Sequence, residues 1–145
     1  MGKNILEVQN LVIDFKTKLG FKNIINNISF NLGNNEILCI VGESGCGKTI
    51  TTHSILGLLP KSVEKKINGK INYKDENLLN YTEKQLRQIR GNEISMIFQE
   101  PTTSLNPSMK VGKQISEVIK LHSNIKNKEI KKEVITILNN VNIYD

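Results

Sequence analysis

The 145-residue sequence predicts an α/β fold, and three adjoining stretches carry that prediction. The apolar run Ile37-Leu38-Cys39-Ile40-Val41 has the composition of a buried parallel strand. It leads into Gly42-Glu43-Ser44-Gly45-Cys46-Gly47-Lys48-Thr49, the G-x-x-x-x-G-K-[ST] pattern of a phosphate-binding loop. From Lys48 to Leu59, apolar residues recur at helical spacing: Ile55, Leu56, Leu58 and Leu59. The loop therefore falls between the carboxyl end of a strand and the amino end of a helix, where its chemistry requires it.

Each position has a physical reason. Gly42, Gly45 and Gly47 permit backbone conformations that a side chain would block. Successive N–H groups, from Glu43, Ser44 and Cys46 as well as the glycines, can then turn inward around an anion. The helix that follows adds unpaired N–H groups and the positive end of its dipole. Lys48 brings a mobile charge to the β- and γ-phosphates, Thr49 offers a hydroxyl to Mg²⁺, and Ile50 follows on the first helical turn. The site so composed, Gly42 to Ile50, is expected to bind a nucleotide with Mg²⁺.

Bulk properties narrow the rest. Hydrophobic residues make up 38% and charged residues 23%, which excludes a disordered chain. Aromatic residues are few and Trp is absent, so the core must be mainly aliphatic. No apolar run approaches the roughly 20 residues that span a bilayer. The amino-terminal segment lacks the apolar centre of a secretory signal, so a cytosolic protein is expected, peripheral to a membrane at most. The net charge of +6 raises nucleic acid as a partner. The lysines are dispersed, however, and the densest group (Lys126, Lys128, Lys131, Lys132) is interrupted by Glu129 and Glu133, the pattern of a solvated helix face. Of the two cysteines, Cys39 is expected in the core, and Cys46 lies inside the loop as a small filler or as a reactive thiol.

In chain order, residues 5–15 alternate as a strand, and residues 24–32 form a second, followed by a Gly33-Asn34-Asn35 turn of the kind that closes antiparallel strands. After the loop helix come a charged linker at 61–66 and a short strand at 69–73 with Ile71 and Tyr73 on one face. Thr82-x-x-Gln85 opens a helix with a capping box and Gly91 closes it. Residues 94–98 read as another buried strand, and Pro101 and Pro107 bracket a polar loop. Val111, Ile115, Val118 and Ile119 line one helix face; Ile130, Val134, Ile137, Leu138 and Val141 line the next.

The strings GESGCGKT, SILGLLP, IRGNEISMIFQEPTTSLNP and VGKQISEVIKLH together resemble the ATP-binding subunits of ABC transporters, specifically the oligopeptide/dipeptide importer type. The resemblance covers essentially the whole chain, and MIFQEPTTSLNP is far more specific than the phosphate-binding loop alone. It implies a P-loop NTPase core of the ABC ATPase type, with a small antiparallel β subdomain and the start of a helical subdomain. It places residues 1–145 in the amino-terminal part of one such domain, with the P-loop at 42–49, the Q-loop around 99 and the helical subdomain from about 108. By the same resemblance Gln99 is the Q-loop glutamine, offering its amide oxygen to Mg²⁺ and a contact to the attacking water, with Ile97 and Phe98 as core residues of its strand. The family stacks an aromatic ring on adenine, for which Phe15 and Phe21 are both candidates. His53 and His122 do not correspond to the family's switch histidine.

The implied partners are integral membrane permease subunits, a second ATP-binding subunit and, indirectly, an extracytoplasmic solute-binding protein, at the cytoplasmic face of the cell membrane, with no nucleic acid. The family's LSGGQ signature, its Walker B Asp with the following catalytic Glu, and its switch His do not occur in the sequence. An incomplete domain with exposed apolar edges and negligible ATP hydrolysis is therefore expected of these residues alone. Alternative readings are an importer ATPase for nickel or another small solute, a nucleotide-binding remnant without a transport role, and a P-loop ATPase of DNA repair or translation.

Overall fold

A computed structural model describes residues 4–100 and 104–144. The chain divides into two compact units, Met1–Leu86 and Arg87–Asp145.

The first unit is organised by a four-stranded antiparallel sheet of order β2-β1-β3-β4. Strand β1 spans Asn4–Thr17, β2 Gly20–Gly33, β3 Lys65–Tyr73 and β4 Glu76–Asn77. A two-residue loop, Lys18-Leu19, joins β1 to β2. The Thr17 hydroxyl donates to the Gly20 carbonyl at 2.8 Å and accepts from the Leu19 N–H at 3.2 Å. Within β1 Asn10 takes φ +48° at a bulge, so Val8 and Leu11 fall on the same face. Leu11, Ile13, Ile71 and Val8 are the most fully buried side chains, joined by Ile25 and Tyr73. The core is aliphatic, as the composition requires. At the same bulge Gly69 has φ +101°, and a Cβ there would lie 2.5 Å from the carbonyl oxygens of Gln9 and Asn10.

Helix α1, Lys48–Ile55, follows the phosphate-binding loop. It ends at Ile55, where the chain turns through Gly57 at φ +62°. A 3₁₀ turn, Leu78–Asn80, is capped by the Asn77 side chain. Helix α2, Glu83–Ile89, opens on the capping box read from the sequence. The Thr82 N–H donates to Gln85 Oε1 at 2.9 Å, and the Gln85 N–H to the Thr82 hydroxyl at 3.4 Å.

In the second unit, α3 (Val111–His122) packs against α4 (Asn127–Asn140), burying Ile130 and Val134. A Cβ at Gly112 would meet Val134 Cγ1 at 3.5 Å, so a small residue there keeps the helices close. Asn106 and Gln114 clasp the preceding loop to α3. The Asn106 N–H donates to Gln114 Oε1 at 3.0 Å, and Gln114 Nε2 donates to the carbonyls of Asn106 and Met109.

Several expectations fail. Residues 37–41 and 95–98 form no ladder; the latter stretch adjoins a single bridge between Arg90 and Ile94. Ile37 and Val41 are each 91% exposed and Ile97 95%, with Phe98 exposed as well, so neither stretch is a buried strand and Ile97 and Phe98 are not core residues. Cys39 is exposed for the same reason. The physical cause is shared: no described strand runs parallel to either stretch, so burial and backbone pairing both lack a partner. The turn at Gly33–Asn35 leads into this unpaired stretch and does not close a hairpin, and the segment read as a 61–66 linker already enters β3 at Lys65. Pro101, expected to open the polar loop, lies outside the described residues.

Candidate functional site

The loop Gly42–Thr49 is built largely from its own atoms. Gly45 has φ +82° and Gly47 φ +99°, conformations that strain any other residue. Gly47 is constrained a second way: a Cβ there would lie 2.5 Å from Ile25 Cδ1 and 3.4 Å from the Ile24 carbonyl oxygen. The loop thus rests on β2 at a point where an added Cβ would have to displace the end of the Ile25 side chain. A Cβ at Gly42 would lie 2.7 Å from Cys46 Sγ. The Cys46 N–H donates to the Glu43 carbonyl at 3.3 Å and closes the turn.

Lys48 folds back across the loop. Its ammonium donates to the carbonyls of Gly42 and Glu43, both at 2.7 Å, with Cys46 Sγ at 3.7 Å. Gly47 is the N-cap of α1 and no side chain caps the helix, which leaves first-turn N–H groups without a side-chain acceptor. Thr49 is exposed at that same turn. Buried Thr51 anchors the far side, its hydroxyl donating to the Gly47 carbonyl at 3.1 Å. The donor set fits a polyphosphate: uncapped helix N–H groups, an ammonium pinned over the loop, and an exposed hydroxyl suited to Mg²⁺. Beside it lies a cavity of about 620 Å³, lined by Ile25, Ile28 and Phe30 of β2, residues 38–41, and Cys46 to Lys48.

Strand register sorts the two candidate aromatics. Ile13 pairs with Ile25 and Ile67; Asp14 pairs with Asn23 and Lys66; Lys16 pairs with Phe21. Alternation along β1 then places Phe15 on the face of Ile13 and Ile25, the face that meets Gly47. Phe21 lies on the opposite face with Asp14 and Asn23, whose Nδ2 donates to Asp14 Oδ1 at 2.7 Å. The Lys66 ammonium sits 4.1 Å from the centre of the Phe21 ring. The bulge at Ile24, visible as a register shift between Ile13 and Asp14, is what separates the two faces, and spacing alone does not reveal it.

Gln99 is exposed at a bend in the second unit. His53 is half-buried on α1 and His122 half-buried at the end of α3, where its Nε2 would lie 3.7 Å from a Cβ at Gly91. Sequence reasoning misses Ile25, which gives Gly47 its second constraint, and the Asn106–Gln114 clasp. The motif SLNP followed by VGKQ holds the signal for the clasp, but not its geometry. Among the described residues no helix is long and apolar enough to cross a membrane.

Residues 25–145 match the family model described as ABC transporter, and the chain belongs to that family. It is 43% identical over 143 residues to the dipeptide transport ATP-binding protein DppD of Bacillus subtilis, covering 99% of this chain and 43% of that protein. It is 44% identical over 139 residues to the oligopeptide transport ATP-binding protein OppD of the same organism, covering 96% of this chain and 39% of that protein. Among solved structures, cbiO1 from Clostridium perfringens, part of the ABC transporter complex cbiONQ, superposes with a TM-score of 0.62 at 24% identity over 97% of this chain and 51% of that one, a likeness of fold. The chain thus spans about two fifths of the length of the curated relatives it matches.

Proposed function

We propose that these residues form the phosphate-binding part of an ATP-binding subunit that couples ATP binding and hydrolysis to uptake of dipeptides or oligopeptides. The observation that carries the reading is the Gly42–Thr49 loop, with its uncapped helix end and pinned Lys48, inside a chain more than 40% identical to two peptide-transport ATP-binding proteins.

In this reading the N–H groups of Gly45 to Thr49 hold the β- and γ-phosphates. Lys48 keeps its hold on Gly42 and Glu43 and turns its remaining N–H toward the phosphate, so the same contacts that shape the loop also aim the charge. Thr49 would offer its hydroxyl to Mg²⁺, which would neutralise charge on the phosphates, and Gln99 is proposed for the amide-oxygen role that the family resemblance gives it. By the same resemblance Gln99 would contact the attacking water, and Phe15 would supply the ring against adenine, because it lies on the sheet face that meets the loop. The partners are membrane permease subunits, a second ATP-binding subunit and, indirectly, a solute-binding protein, with the assembly at the cytoplasmic face of the membrane. The carboxylate that activates water is missing from these residues, so purified 145-residue protein binds ATP without appreciable turnover.

The test is titration with a fluorescent ATP analogue and Mg²⁺. Lys48→Ala removes a charge-assisted hydrogen bond of about 1.5–3 kcal/mol and should weaken binding accordingly. Phe15→Leu should weaken it and Phe21→Leu should not. Unchanged affinity in Lys48→Ala would refute the site, and co-purification without any integral membrane subunit would refute the transport role.

A further inference from the structure

The hairpin that joins β1 to β2 ends in a side chain that the fold does not use. Leu19 is 100% exposed at the tip of the two-residue loop, and Phe21, two residues on, is 40% exposed. A large aliphatic group standing wholly in water at the extremity of a hairpin contributes nothing to folding.

The tip is also cationic. Lys16, Lys18 and Lys22 flank the loop, and Lys66 reaches it from β3 to lie over the Phe21 ring. The acidic groups nearby are engaged: Glu64 pairs with Lys16, and Asp14 accepts from Asn23. Lys18 and Lys22 have no acidic partner among the described residues and are exposed. Register puts Lys66 on one face of the sheet and Lys22 on the other, so positive charge surrounds the protruding Leu19.

We infer that this tip docks on an anionic lipid surface, with Leu19 entering the headgroup layer and the lysines contacting lipid phosphates. Charge complementarity selects an anionic partner, and shape selects a bilayer. A convex two-residue tip cannot supply the roughly 800 Å² per partner of a stable protein interface, whereas a bilayer admits a protruding apolar side chain anywhere along its surface. Nucleic acid fits less well: it has no place for an aliphatic tip, and the Phe21 face that would stack on a base is taken by Lys66. The inference stands apart from the transport reading, since it uses none of the loop residues.

The experiment is co-sedimentation of the full 145-residue chain with vesicles of phosphatidylglycerol and phosphatidylcholine, beside vesicles of phosphatidylcholine alone and a single-stranded RNA. Binding is expected only where phosphatidylglycerol is present, and should fall as salt is raised. Lys18→Gln with Lys22→Gln should lower the partition coefficient by about fivefold per lysine, about thirtyfold together. Lys70→Gln with Lys74→Gln removes the same charge from the other end of the sheet, where Lys70 pairs with Gln9 and the Lys74 N–H donates to the Ile5 carbonyl. At about 3.3 Å per residue along β1 that end lies more than a Debye length from the tip, so this pair should change binding by no more than about twofold. Leu19→Ser should abolish most of the remaining binding; with Leu19 fully exposed, its circular dichroism should match the parent chain. Equal losses from the two lysine pairs, equal binding to phosphatidylcholine alone, or tip-dependent binding to RNA without binding to vesicles would each overturn the inference.

Discussion

Replacing Gly47 by Ala tests whether the phosphate-binding loop is shaped by its own backbone and by its seat on β2. Two costs add at this position. Gly47 has φ +99°, and placing an L-residue in left-handed backbone costs about 1–2 kcal/mol. The new Cβ would also lie 2.5 Å from Ile25 Cδ1, and forcing an extra methyl into a packed contact costs about 1–3 kcal/mol. Gly45 separates the two, because it has φ +82° but nothing within 4 Å of an added Cβ, so Gly45→Ala should carry the backbone cost alone. Urea denaturation of both variants should therefore show Gly47→Ala less stable than Gly45→Ala by about 1–3 kcal/mol. Ile25→Val removes the clashing Cδ1 at an intrinsic cost of about 0.5–1.5 kcal/mol, and the double variant should recover most of that difference. Equal destabilisation at the two glycines, or no recovery with Ile25→Val, would refute the claim that the loop is seated on Ile25.

Other outcomes follow from single contacts. Alkylation of Cys46, exposed and 3.7 Å from the Lys48 ammonium, should slow when ATP and Mg²⁺ are present, while Cys39 serves as internal reference; equal labelling of Cys46 in both states would place the nucleotide elsewhere. Leu11→Ala, at a fully buried position, should cost about 2–5 kcal/mol in urea denaturation. Thr82→Ala should cost about 0.5–2 kcal/mol through loss of the α2 cap, with Thr82→Ser retaining most of it; equal losses in both would mean the hydroxyl is not the stabilising group.

Legibility in the sequence follows the range of the interactions involved. The capping box at Thr82 and Gln85, the left-handed glycines of the loop and the helices α3 and α4 depend on residues a few positions apart, and all are readable, although Val111, Val118, Ile137 and Val141 of the predicted apolar faces are exposed. The antiparallel sheet is readable in outline because β1 and β2 are neighbours in the chain. What escapes is register. The bulges at Asn10 and Ile24 decide which side chains share a face, and the one at Ile24 sends Phe15 and Phe21 to opposite sides although both sit near the same turn. A bulge depends on how two strands settle against each other, so composition along one strand cannot show it.

The stretch 37–41 marks the same boundary from the other side. Its apolar run has the composition of a buried strand, yet its side chains stand in water because burial needs a neighbouring strand and the described sheet offers none. The loop directly after it nevertheless keeps its shape. Lys48 clasps the carbonyls of Gly42 and Glu43, the Cys46 N–H closes the turn on Glu43, and Gly47 rests against Ile25. These contacts lie within a few residues or on β2, and none of them uses a parallel strand. The loop's geometry is therefore encoded locally and holds where the stretch before it has no partner strand. It follows that nucleotide affinity should respond to Lys48 and Gly47 far more steeply than to polar substitution at Ile37, whose side chain touches almost nothing. An Ile37→Thr variant that lost ATP binding as completely as Lys48→Ala would mean that the preceding strand, and not the loop's own bonds, holds the site together.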